Sequence, residues 1–324
     1  MEVFLLRSLL LTSAVLGMLI LGTTASAQNP TDSLNVRLGY KASDKLLIIH
    51  ADDVGMCHSV NAATIDAMEH GVVTCASIMM PCPWVPEIAA YCRAHPEADF
   101  GLHLTLTSEW QGYRWRPVTP LTEVPSLQDV DGYLPHEVPE VVAHGKPAEV
   151  AREIRSQIER AAHFGIKPTH VDSHMGTLFT APFYAAYTTV SKEMGVMPMV
   201  LYPTAQRVQQ AKLLGIDAMA SYQDLNRQGY VFLDALYESA KGDTLEDRRK
   251  YYLDLFHTLR PGVNEIIVHL AMNDEEIKHI SGAWEARWNE YQIFTDPKTR
   301  AVLNELGIKL IGYKQLKELA FKHQ

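Results

Sequence analysis

From residue 45 onward, short apolar runs alternate with longer stretches whose apolar positions recur at helical spacing. Residues 45–51 (KLLIIHA) are largely apolar, as a strand covered on both faces must be. Residues 59–70 predict a helix, and Gly71 stands where a C-capping glycine belongs. Residues 72–79 and 99–106 predict the second and third strands, with a helix from about 86 to 94 between them. After an irregular stretch, 147–164 reads as a strongly amphipathic helix and 169–174 as a strand bounded by Pro168. A helix over 182–194, a strand over 196–201, helices over 205–214 and 245–259, and a buried strand over 265–270 continue the alternation. Helix, strand and helix over 299–306, 309–311 and 313–321 close the chain.

Strands alternating with helices in this way predict parallel βα units within one α/β domain spanning 45–324. So many units fit a distorted (β/α) TIM-like barrel, closed or nearly closed, better than an open sheet. Residues 107–145 carry many Pro and Gly together with Trp110, Tyr113, Trp115 and Tyr133, and read as a long loop over one face. Residues 28–44 form a polar leader, expected to be a loose tether as far as Lys41.

Composition adds little to this picture: 47% of the 324 residues are hydrophobic and 21% charged, which supplies a large core. The net charge of -9 comes without any cluster of Lys and Arg, and so argues against a nucleic acid or an anionic membrane as partner. The N-terminus changes more. Arg7 precedes an apolar run over 9–21, and Ala25-Ser26-Ala27 then fits the cleavage pattern of an export signal. Residues 1–27 are therefore expected to be a signal peptide, and the mature chain to be exported, periplasmic or secreted. No segment reaches the roughly 20 apolar residues of a membrane span, so no stable anchor is expected after cleavage. Cys57, Cys75, Cys82 and Cys92 can be free or paired, and their spacing fits no zinc ribbon.

The candidate chemistry lies at strand ends. Asp52 and Asp53 end the first strand, where ligands bind in parallel α/β folds, and capping the next helix needs only one of them. His103 alternates with Leu102 and Leu104 and so faces away from them. In His170-Val171-Asp172-Ser173-His174, positions 170, 172 and 174 share one face, a polar face on a buried strand. His174 lies nearer the strand's end, while His170 and Asp172 lie deeper, as hydrogen-bonding support. His269 falls near the end of the strand EIIVHL. One carboxylate and two imidazoles from three strand ends (Asp53, His103 and His174) make a metal site with open positions. A cation there lowers the pKa of bound water towards about 7, leaving Asp52 to take the proton and His269 to deliver one to a leaving amine. The ion is expected to be divalent, Zn²⁺ or Mg²⁺; this donor set suits Zn²⁺ and several first-row ions, whereas Mg²⁺ prefers more oxygen.

Four segments occur in order: residues 47–77 (LIIHADDVGMCHSVNAATIDAMEHGVVTCAS), 100–107 (FGLHLTLT), 170–174 (HVDSH) and 264–269 (NEIIVH). Together they resemble the YdjC/ChbG family of carbohydrate deacetylases, relatives of the NodB-type polysaccharide deacetylases, from about residue 45 to 315. The resemblance implies a distorted (β/α) barrel and a divalent metal held by Asp53, His103 and His174. It also implies Asp52 as base, hydrolysis of an N-acetyl group, and His269 as the late histidine beside the site. The chain departs from the pattern after His174, where Met175 and Gly176 replace a further histidine, and over 200–202, which hold no arginine.

The expected function is thus metal-dependent removal of acetyl groups from N-acetylated mono- or oligosaccharides. Trp110 and Trp115 are the expected platforms for sugar rings, and Arg287 either a further substrate contact or the partner of an acid. Two other classes draw on the same residues: a non-haem iron oxygenase, whose triad is also two His and a carboxylate, and a catalytically silent glycan-binding protein of this fold. The spare Asp52 favours hydrolysis over both. A homodimer is compatible with the sequence, which carries no signal of oligomeric state.

Overall fold

The computed structural model describes residues 33–238 and 240–321. The expected signal peptide over 1–27 lies outside them. Residues 33–41, expected within a loose tether, are instead docked on the domain. One turn of helix, α1 (Leu34–Arg37), buries Leu34, and Asn35 Nδ2 donates to the carbonyl of Asp44 at 2.7 Å.

Among the described residues, eight parallel strands form the centre: β1 (Lys45–Val54), β2 (Cys75–Ile78), β3 (Phe100–Leu104), β4 (His170–Ser173), β5 (Met197–Pro198), β6 (Ala235–Tyr237), β7 (Gly262–Val268) and β8 (Ile308–Leu310). Their order is β5-β4-β3-β2-β1-β7-β6. Just beyond β5, Leu201 bridges to Leu233 just before β6, and the Leu233 amide donates to the Val200 carbonyl at 2.9 Å. The sheet therefore curls until its two edges meet, which is the distorted barrel expected from the alternation. β7 occupies one edge of β1; β8 pairs with the start of its other edge, over Lys45–Leu47, and β2 takes that edge from His50 on.

Helices cover the outside: α2 (His58–Glu69), α3 (Val85–Ala94), α4 (Val138–His144), α5 (Pro147–His163), α6 (Ala181–Glu193), α7 (Ala205–Leu213), α8 (Ala218–Arg227), α9 (Leu245–Thr258), α10 (Glu275–Ile280), α11 (Trp284–Thr295), α12 (Pro297–Glu305) and α13 (Tyr313–Ala320). The stripe Val150, Ile154, Ile158, Ala161 explains why α5 forms and which face it buries. Each buried Val or Ile of that stripe contributes about 1.5–3 kcal/mol. Gly71 is not a left-handed cap. It is required by contact, since a Cβ there would sit 2.4 Å from the Phe294 carbonyl at the end of α11.

Several elements had no legible signal. β6 is three residues long, and α11 buries Arg287 and Glu290 beside Ile293 and Phe294, so no apolar stripe announces it. The barrel interior is unusual in the same sense. Along β1, Ile48, His50 and Asp52 alternate with Leu47, Ile49 and Ala51, and His50 meets Glu265 of the neighbouring strand β7 at 2.6 Å. The axis is thus lined by polar groups that are buried as completely as the apolar core between sheet and helices. All four cysteines are unpaired, and only Cys92 is partly exposed.

Candidate active site

Two adjacent residues of a regular strand point to opposite faces, so Asp52 and Asp53 share a site only if the strand is broken between them. It is. The register of β1 against β2 shifts between Ala51 and Val54, and Asp53 adopts a left-handed backbone with φ 59°. Gly55 follows at φ 88°, and its amide donates to Asn61 Oδ1 at 2.7 Å, tying the turn to α2. A left-handed residue bearing a Cβ costs about 1–3 kcal/mol, least for Asp and Asn, and here the strain aims both carboxylates into the barrel mouth.

His103 enters from β3 and His174 from the turn after β4, where Met175 (φ 52°) and Gly176 (φ 65°) reverse the chain. Their nitrogens converge on one oxygen: Asp53 Oδ1 is 3.5 Å from His103 Nε2 and 3.2 Å from His174 Nδ1. One donor atom from each of the three residues lies within 4.8 Å of the others. The far nitrogen of each imidazole meets a carboxylate, Asp172 Oδ2 at 2.9 Å from His103 Nδ1 and Glu109 Oε2 at 3.0 Å from His174 Nε2. That is how metal-ligating histidines are oriented. Asp53 Oδ1, buried between two imidazoles, makes no hydrogen bond among the described residues. The donor set and its supports fit a divalent cation.

Asp52 and Asp53 are driven apart electrostatically. Burial pushes Asp53 up, but Arg287 and His174 outweigh it and hold the carboxyl well below the usual range; Arg287 Nη2 donates to its Oδ2 at 2.6 Å. Burial, then the charges of Asp53 and Asp172, push Asp52 well above that range. Such a split assigns the fixed anion and the proton carrier. His269 brings Nε2 to 3.4 Å from Asp52 Oδ1, and burial together with Arg287 holds it below its ordinary value. His174 moves the other way, to about 10, because Glu109 and Asp53 overcome the effect of burial. A ligand must lose that proton, so cation affinity should rise about tenfold per pH unit below the His174 value. Calorimetric titrations at about pH 6 and 8 check this, and equal affinities would remove His174 from the ligand set.

The expected residues are sorted by this geometry. Asp52, Asp53, His103, His174 and His269 come together, and Asp172 supports His103 as expected. His170 does not support a ligand: its Nδ1 meets Thr169 Oγ1 at 2.9 Å and its ring stacks on Tyr313. Trp115, an expected sugar platform, is buried, with Nε1 donating to the Thr107 carbonyl at 2.8 Å. It backs His174, ring centroids 6.4 Å apart, while the half-buried Trp110 packs edge-on against it. Of the two roles open to Arg287, the structure shows pairing with an acid: it is buried, with Nη2 2.6 Å from Asp53 Oδ2. Glu109 went unrecognised, having no periodic signal. Its loop is held by α5, where Gln157 bonds both the amide and the carbonyl of Thr105, and Glu153 accepts from the amides of Val118 and Thr119.

The sequence matches the profile of the family described as YdjC-like protein over residues 46–305. A carbohydrate deacetylase of Thermus thermophilus is 31% identical over 264 residues, covering 81% of this chain and 90% of that protein. A chitooligosaccharide deacetylase of Yersinia pestis is 30% identical over 272 residues, 82% of this chain and 97% of its own. A proposed cellobiose-phosphate cleavage protein of Enterococcus faecalis V583 has a solved structure that superposes with a TM-score of 0.71 at 26% identity, over 85% of this chain and 99% of that one.

Proposed function

Since the chain belongs to the YdjC-like protein family, we propose that it is a carbohydrate deacetylase that hydrolyses the N-acetyl amide of an acetylated sugar with the help of a divalent cation. The observation that carries the metal reading is Asp53 Oδ1, buried between His103 and His174 with no hydrogen-bond partner among the described residues, where one donor atom from each of the three residues lies within 4.8 Å of the others. Asp53, His103 and His174 would hold the cation. When bound, it polarises the acetyl carbonyl and lowers the pKa of water.

The chain's own residues manage the protons. Arg287 keeps Asp53 ionised, so the proton taken from the attacking water goes to Asp52. Water adds its oxygen to the acetyl carbon, the C–N bond breaks, and acetate and a free amine result. The amine nitrogen needs the proton that Asp52 took, and His269, 3.4 Å from Asp52, is placed to pass it on. His269 starts neutral, so it acts as acid only after Asp52 has acted as base.

The direct test is acetate release from N-acetylated chitooligosaccharides. The metal-loaded chain should release acetate, and chelation should suppress it until a divalent ion is restored. Absence of release across a panel of acetylated glycans by metal-loaded protein would end the reading. Zn²⁺ or Mg²⁺ as the resident ion is decided by the same restoration.

Export is part of the same proposal, supported by the apolar run over 9–21 and by Ala25-Ser26-Ala27. N-terminal sequencing of the protein recovered from expressing cells should begin near Gln28. A retained Met1 would exclude cleavage.

A further inference from the structure

Beneath the metal site, the barrel axis is filled by a continuous hydrogen-bonded chain that the hydrolysis does not use. Tyr313 Oη donates to Glu265 Oε2 at 2.6 Å, and Glu265 Oε1 accepts from His50 Nδ1 at 2.6 Å. His50 Nε2 lies 2.9 Å from Ser77 Oγ, which donates to Asp172 Oδ2 at 3.2 Å. That same oxygen accepts from His103 Nδ1. Every member is buried.

Counting protons fixes the direction of the chain. His103 must place its proton on Nδ1, towards Asp172, for Nε2 to offer a lone pair beside Asp53. Ser77 has one proton, which goes to Asp172, so its oxygen must accept from His50. His50 therefore donates from both nitrogens, an imidazolium between the carboxylates of Glu265 and Asp172. Burial opposes that charge, and the two carboxylates outweigh it. The fixation of Asp172 rests on one oxygen, because among the described residues its buried Oδ1 has no hydrogen-bond partner. Apart from His103 itself, the groups holding that oxygen are Ser77 and, at 3.7 Å, His50 Nε2.

We propose that His50 is a positioning residue for the metal site. It acts through Ser77 and Asp172 to hold His103 in the Nδ1–H tautomer, with Glu265 and Tyr313 anchoring it. The inference rests on the reading of Asp53, His103 and His174 as the metal ligands. It predicts that groups touching neither metal nor substrate set the affinity for the cation.

The test is titration of Co²⁺ and Zn²⁺ into the full mature chain, with Ser77→Ala, His50→Gln and Ser77→Thr beside wild type. Ser77→Ala and His50→Gln should each weaken binding about 10- to 100-fold, as loss of an outer hydrogen bond does, while turnover at metal saturation changes little. Ser77→Thr keeps the hydroxyl and should stay near wild type. Nitrogen-15 NMR of the metal-free protein provides an independent reading: the His103 Nδ1–H signal should shift in Ser77→Ala. Binding within about twofold of wild type in both weakened variants, with an unshifted His103 signal, would overturn the proposal. A second bound equivalent, lost in Cys75→Ser, would also overturn it, by making His50, Cys75 and His170 a metal site in their own right. If wild type bound no cation, the ligand reading would fail, yet the His103 signal would still decide whether His50 orients it.

Discussion

Replacing Asp52 with Asn should cut acetate release about 10²- to 10⁴-fold, the range a positioned general base supplies, while cation affinity stays within about tenfold. The substitution keeps size and shape, so Asp53, His103 and His174 remain in place. What it removes is the ability to accept a proton at Oδ1, the oxygen that faces His269 at 3.4 Å. The pH profile gives the sharper check. Burial and the neighbouring charges of Asp53 and Asp172 raise Asp52 above the ordinary carboxylate range. Below its pKa the base is protonated and idle, so wild-type activity should climb with pH on a limb lying higher than that of a solvated aspartate. A bound cation pulls that limb down, so the ion used must be stated with the profile. Asp52→Asn should abolish the limb along with the rate. A variant retaining more than about a tenth of wild-type turnover, with the limb unmoved, would assign the base elsewhere, and Glu109 would be the next carboxylate to examine.

How much of this could be read beforehand depends on the distance over which each signal acts. β1 and β7 were legible because both faces of each strand are covered, which leaves an apolar run in the sequence. His103 was legible as a polar group interrupting such a run, and His174 as part of a polar face on a buried strand. The joint presence of Asp52 and Asp53 was legible too, but the means was not: strict alternation sends one carboxylate away, and the register shift with a left-handed Asp53 has no compositional trace. Glu109 and Arg287 meet His174 and Asp53 across 65 and 234 residues of chain, beyond any periodicity. For that reason the sequence leaves Arg287 between a substrate contact and the partner of an acid, and Trp115 was misread because a ring in a polar loop looks exposed until Thr107 is seen to hold it. Closure of the barrel rests on Leu201 and Leu233, one bridge between segments too short to announce themselves.

Asp53 carries two burdens, and separating them is the second large prediction. Asp53→Asn tolerates the left-handed backbone, since Asn is among the residues that enter that region readily. It should nonetheless weaken cation binding by more than about 100-fold, exceeding the effect of losing an outer hydrogen bond, because the anionic ligand itself is gone. It also leaves the Arg287 guanidinium buried without its carboxylate. Among the described residues its Nε and Nη1 lack hydrogen-bond partners, so the ion pair with Asp53 is its main compensation. Breaking such a pair from one side costs about 3–5 kcal/mol, which in a chain of this size is a fall in melting temperature of roughly 10 °C for the metal-free protein. Adding Arg287→Met removes the stranded charge at similar volume. The double variant should recover most of the stability and none of the cation affinity or activity. Calorimetry of the metal-free proteins and metal titration of the same samples separate the two effects. If Arg287→Met restored nothing, the instability would come from the strained turn at Asp53 rather than from the pair. If the single variant still bound metal normally, Asp53 would be an electrostatic partner of Arg287 and not a ligand.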